Sequence, residues 1–196
     1  MSVTKKESVN AVVSFAGRHD YEQEHTFQVT NLALMLFDEL KDLHKLTNEE
    51  RFLLHCGALL HDIGWSEGRK AHHKTALEKT VNSSDLPFNN QNKKIIGLIA
   101  RYHRKALPKD KHQYYGELSE SDKHRVKVLA GILRVADGLD RSHCSVVEDI
   151  RARLSENSIL LECKCAQDPW MEIQTAMKKS DLMSMVFQRD IRIISK

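Results

Sequence analysis

His61 and Asp62 stand side by side in the run Leu59-Leu60-His61-Asp62-Ile63-Gly64, at the end of an apolar helical pattern. An imidazole and a carboxylate at neighbouring positions are the donor types of a divalent transition-metal site. Other residues of the same types face inward. His25 lies four residues before Val29 and seven before Leu32, on the buried stripe of its helix. His103 follows Ile96 and Ile99 at helical spacing, and Asp137 follows Leu129 by eight and Leu133 by four. A core histidine satisfied by a local hydrogen bond is the alternative reading for each imidazole taken singly. An inward aspartate is harder to place, because an unpaired buried carboxylate costs roughly several kcal/mol unless a cation or donors meet it. A shared metal would remove that penalty for all of them at once.

The elements that must bring these residues together are helices through the first two thirds of the chain. Apolar spacing predicts helices over 8–17 and 21–43, the latter carrying Val29, Leu32, Leu36 and Leu40 on one face. Thr47-Asn48-Glu49-Glu50 is a capping-box pattern for a helix over 52–61 that Gly64 ends. Further helices are expected over 71–81, over 91–105, and from Ser119-Glu120-Ser121-Asp122 through Asp137 to Gly138. A polar loop over 108–117 separates the last two; the stretch 105–117, with Tyr114-Tyr115, is either a lid over the site or a plain surface connection. Strand patterns follow over 146–154 and 158–165, joined at Glu156-Asn157. A helix capped by Asp168 comes next, then a last strand through Ile191, Ile193 and Ile194. The fold class expected is mainly α: a helical domain over 1–145 with a small α+β extension over 146–196 packed on it.

The 196 residues are enough for one well-buried core, and the 41% apolar and 29% charged shares describe an ordinary globular chain. No run of eighteen apolar residues is present, and Met1-Ser2-Val3-Thr4-Lys5-Lys6-Glu7 lacks the apolar stretch of a signal peptide, so no membrane partner and a cytoplasmic address are expected. Cys56, Cys144, Cys163 and Cys165 show no CxxC spacing and read as buried thiols in a reducing compartment. A net charge of +3 is too small to argue for nucleic acid, which wants a basic stripe. The local cluster Arg101-Arg104-Lys105-Lys109-Lys111 is the one feature that prompts that partner.

The order His25, His61-Asp62, Asp137 resembles the HD superfamily of metal-dependent phosphohydrolases, whose helical fold gathers these residue types around a divalent ion. Two-metal members add histidines between the doublet and the last Asp. His72 and His103 occupy that interval here, with His73 the alternative to His72 and the small Ala76 favouring His72. The runs Leu60-His61-Asp62-Ile63-Gly64, Ala71-His72-His73-Lys74, Ala100-Arg101-Tyr102-His103-Arg104-Lys105 and Leu133-Arg134-Val135-Ala136-Asp137-Gly138-Leu139-Asp140-Arg141-Ser142-His143 resemble more closely the C-terminal part of the exopolyphosphatase and guanosine pentaphosphate phosphohydrolase family. The tail, with Trp170-Met171-Glu172 and Ile191-Arg192-Ile193, is similar as well. Two departures are visible. No glycine-rich phosphate loop of that family's actin-like ATPase-fold module appears, and Thr75 stands where the family's motif tends to have a second His. The resemblance therefore implies the fold more strongly than polyphosphate hydrolysis. The metal set, often eroded in the full-length proteins, has every ligand type present here.

The resemblance implies an HD-type helical bundle and a metal-dependent phosphohydrolase acting on a phosphate ester or anhydride, nucleotide or polyphosphate-like. One or two ions of Mn, Fe, Ni, Co or Zn would be held by His25, His61, Asp62, His72, His103 and Asp137, with a second ion bridging through Asp62, the residue on which catalysis should turn. Arg104, Lys105 and Arg141 follow directly on His103 and Asp137 and are the candidates to meet substrate phosphates. Arg18 and Lys74 are weaker candidates. The partner expected is a phosphorylated small molecule, with a homodimer compatible with the sequence. The alternative function is a non-catalytic HD-fold module that binds a phosphorylated ligand or regulates a partner.

Overall fold

Two capping boxes set where the first helices begin. In this computed structural model, which describes residues 4–19, 22–68 and 70–196, Thr4 Oγ1 accepts from the Glu7 N–H and Glu7 receives the Thr4 N–H, opening α1 (Lys5–Gly17). Between α1 and the next capping box run α2 (Gln23–Glu39) and the single turn α3 (Lys41–His44); Thr47 and Glu50 then form the box that starts α4 (Asn48–Leu59). The helix expected over 21–43 is interrupted at Leu40, whose φ of −95° and ψ of 9° leave helical geometry. Its expected start at Tyr21 lies outside the described residues, as do Met1, Ser2 and Val3.

A 3-10 turn, Trp65–Glu67, leads into α5 (His72–Asn82), and Asn89 caps α6 (Asn90–Arg101) by accepting the Asn92 N–H. Ser119 does the same for α7 (Glu120–Gly138) through the Asp122 N–H. α7 is the central rod: Val126, Leu129, Ile132, Leu133 and Ala136 are all buried, against α2, α4 and α6 on one side and the C-terminal helices on the other.

The tail supplies a three-stranded sheet in the order β1 (Val147–Leu154), β2 (Ser158–Cys165), β3 (Asp190–Ser195). β1 and β2 form an antiparallel hairpin pairing Leu154 with Ile159, and β3 joins β2 in parallel. The parallel pairing requires a crossover, made by α8 (Trp170–Lys179) and α9 (Asp181–Phe187). α9 is not foreseen from sequence: seven residues are too few to display a helical period. The mainly α architecture with a small C-terminal α+β portion is as expected, and one apolar cluster runs from Val12 through the bundle to Ile193 of β3.

One local expectation needs correction. Of the four cysteines only Cys56 and Cys163 are buried. Cys144 is exposed, because it sits in a turn between two left-handed residues, His143 and Ser145, and Cys165 is partly buried near the end of β2. In the loop over 105–117, Tyr115 is buried edge-on against Tyr102, with ring centroids 5.7 Å apart. No helix among the described residues is long and apolar enough to cross a membrane.

Candidate metal centre

Two helices end on the same device. α4 stops at Leu59 and α6 at Arg101, each a few residues earlier than the apolar pattern implies, so His61 and His103 stand just past a helix C-terminus. The His61 Nδ1–H donates to Ala58 O at 2.7 Å and the His103 Nδ1–H to Ala100 O at 2.6 Å. Each ring thus adds a side-chain hydrogen bond to a carbonyl in the last turn of its helix. Each is thereby fixed in the tautomer whose Nε2 carries a lone pair. His25, on α2, reaches the same state by another route: its Nδ1–H donates to Asp140 Oδ2 at 2.8 Å, while Asp140 Oδ1 accepts the Ser145 N–H. A buried carboxylate behind an imidazole is the arrangement that orients a histidine ligand and raises its basicity.

The three Nε2 atoms and that of His72 converge on Asp62. Its Oδ2 lies 3.9 Å from His25 Nε2 and 3.5 Å from His61 Nε2, and its Oδ1 lies 3.2 Å from His72 Nε2 and 3.7 Å from His103 Nε2. The donor atoms therefore form two triads that share Asp62: His25, His61, Asp62 and Asp62, His72, His103, each within 4.8 Å of one another. Gly64 makes this packing feasible. A Cβ there would sit 2.1 Å from the His72 carbonyl oxygen, so only glycine lets the turn after Asp62 close on the start of α5.

The electrostatics suit a cation. Burial pushes His61 down to about 4 and His103 well below its ordinary value, leaving both imidazoles neutral and ready to donate a lone pair. Burial pushes the Asp62 carboxyl up, but His61, His72 and His103 outweigh it and hold it well below the usual carboxylate range. Among the described residues His61 Nε2 is buried with no hydrogen-bond partner. The helix macrodipoles of α4 and α6 add partial negative charge at the same place. A buried lone pair, an ionised carboxylate and two negative helix ends fit a divalent metal.

Asp137 is differently placed. Its Oδ1 lies 3.5 Å from His25 Nε2, but its Oδ2 is ion-paired with the Lys179 ammonium at the end of α8. Burial, then the nearby Arg134 and Arg104, push Lys179 down to about 7. Asp137, His25, Asp62, His72 and His103 line a cavity of about 270 Å³. Its rim includes the three expected cations Arg104, Lys105 and Arg141, and the Arg104 Nη1–H donates to His72 Nε2 at 3.2 Å. His73 is buried beside His72 but is not among the lining residues, and neither are Arg18, which pairs with Asp85 at 2.6 Å, and Lys74.

Sequence reasoning passes over five contributors. Asp140 and His143 lie within the run from Asp137 to His143, and His143 stacks on His25 with centroids 3.8 Å apart. Trp65 stacks on His72 at 5.1 Å and lines the cavity. Thr175 and Lys179 come from α8, far along the chain, and nothing in their spacing relates them to the histidines. What brings α8 in is packing: a Cβ on Gly138 would lie 2.6 Å from Ala176 Cα, so α8 meets α7 backbone to backbone. Buried Glu172 accepts the Ser142 N–H at 3.0 Å and fixes the same approach. A family model described as Ppx/GppA phosphatase, domain III, matches residues 8–185, and the chain belongs to that family.

Proposed function

We propose that the chain is a metal-dependent phosphohydrolase with an HD-type helical domain over 1–145 and an α+β extension over 146–196, acting on a phosphate ester or anhydride, nucleotide or polyphosphate-like. The observation that carries this reading is the division of Asp62: one oxygen faces His25 and His61, the other His72 and His103. Such a carboxylate could help to hold two divalent ions, one with His25, His61 and Asp137 and the other with His72 and His103. Membership of a family described as a phosphatase supports the phosphate class of substrate. A bound Mn, Fe, Ni, Co or Zn ion would supply a Lewis acid that polarises a phosphoryl oxygen and lowers the pKa of a coordinated water.

The remaining work falls to the chain's own groups. Asp140 keeps the His25 lone pair aimed into the cavity, and the Ala58 and Ala100 carbonyls do the same for His61 and His103. Arg104, Lys105 and Arg141 on the rim would receive phosphate oxygens through charge-assisted hydrogen bonds, which orient the substrate as well as bind it. Metal analysis of the purified protein tests the reading, combined with a hydrolysis screen in added Mn or Ni over nucleotides, cyclic nucleotides and polyphosphate. Bound metal with phosphate release that Asp62→Ala abolishes is the expected result. Bound metal without turnover of any of these would support the non-catalytic module instead, and full activity in Asp62→Ala would reject the site.

A further inference from the structure

We infer that Lys179 is a tethered cation that exchanges partners, holding Asp137 when the first metal position is empty and turning to a substrate phosphate when an ion takes Asp137. The inference rests on the metal-centre reading above and adds a role for the C-terminal helix. Lys179 is the last residue of α8, and its ammonium is paired with Asp137 Oδ2 while Asp137 Oδ1 lies 3.5 Å from His25 Nε2. The carboxylate thus spans two positions: the histidine triad on one side and a lysine on the other. A divalent ion among His25, His61 and Asp62 would draw on Asp137 and repel the ammonium at the same time.

The backbone cannot yield to that repulsion, since Ala176 is wedged against Gly138 and Glu172 is bonded to Ser142. The lysine side chain can, because it is a flexible four-carbon stem. Among the described residues Asp137 is the only carboxylate within ion-pair distance of Lys179, so its release leaves the ammonium in the cavity without a directly paired carboxylate. That cavity is already lined by Arg104, Lys105 and Arg141, with Thr175 one turn before Lys179 on the same face of α8. The shared need of these groups is a multiply charged anion.

Two affinities that move in opposite directions test this in the 196-residue chain. Calorimetric titration with Mn²⁺ should show Lys179→Met binding the ion more tightly than wild type, on the order of tenfold, because no ammonium competes for Asp137. The Mn²⁺-loaded variant should bind inorganic phosphate more weakly, roughly tenfold, for want of one charge-assisted contact. Lys179→Gln, a polar replacement, provides the same pair of measurements if the Met variant is poorly folded. Lys179→Arg, which keeps the charge, should stay near wild type for phosphate. Mn²⁺ affinity unchanged or weakened, or phosphate affinity unchanged, would overturn the exchange while leaving the metal centre standing. No Mn²⁺ binding in either wild type or variant would bring down the metal centre itself, and the exchange with it.

Discussion

His44 and the pair His61 and His103 are all buried, and the difference between them separates structure from chemistry. His44, at the turn after α3, is as inaccessible as the site residues, yet both its nitrogens are used by the backbone: Nε2–H donates to Phe37 O at 2.8 Å and Nδ1 accepts the Leu46 N–H at 2.9 Å. His61 and His103 use only Nδ1 in this way and present Nε2 to Asp62 and the cavity. Burial is common to all three. The second ring nitrogen distinguishes them: closed onto the chain at His44, turned toward the Asp62 carboxylate at His61 and His103. A histidine of the first kind holds a turn together, and one of the second kind keeps a ring nitrogen that a Lewis acid could use.

The comparison breaks most visibly at Asp62. Asp62→Ala should lose metal binding and phosphate release together, by about 100-fold or more in metal affinity, measured by titration and by turnover in parallel. Phe37, Leu46 and the rest of the His44 turn should be indifferent to that change. Removing the group behind His25 should act more mildly. Asp140→Asn preserves the shape but weakens the orienting bond to Nδ1, and metal affinity should fall by about 10-fold with the fold retained, as judged by circular dichroism.

The scaffold that brings α8 to the cavity can be tested through Arg134. Its guanidinium holds Asp181 through two bonds of 2.9 Å and donates to Tyr102 O at 3.0 Å, joining α9 to the segment that carries His103. Arg134→Met should cost about 2–3 kcal/mol of stability in urea denaturation, because it removes bonds to a charged group and leaves the Tyr102 carbonyl without this donor. The smallest effect is expected at His44. Burial lowers its pKa, so the unfolded chain takes up a proton at this residue before the folded chain does. The stability it contributes is therefore complete above the ordinary histidine value of about 6.5 and is lost as pH falls toward its folded value. His44→Gln should show a shallower loss of stability with acid than wild type in the same denaturation assay.

Much of the bundle is legible because its signals are local. The Thr47-to-Glu50 box, the apolar stripe of α2 and the Ser119 cap each act within a few residues, and each appears where its pattern lies. Helix ends are less legible. His61 and His103 fit the helical period, yet both lie beyond it, because an imidazole that captures a carbonyl three residues back competes with another helical turn. The least legible part is the α8 side of the cavity. Thr175 and Lys179 arrive there through the meeting of Gly138 with Ala176, a contact between segments thirty-eight residues apart. No periodicity within either segment encodes it.

The central claim is that Asp62, with His25 and His61 beside one oxygen and His72 and His103 beside the other, would hold divalent cations. Anomalous diffraction from crystals grown with Mn²⁺ or Ni²⁺ measures this directly. The account predicts a peak about 2 Å from an Asp62 oxygen with His25 and His61 or His72 and His103 as its neighbours, and two such peaks when both positions are filled. Anomalous density confined to other places, with the Asp62 cluster bare at saturating metal, would contradict it.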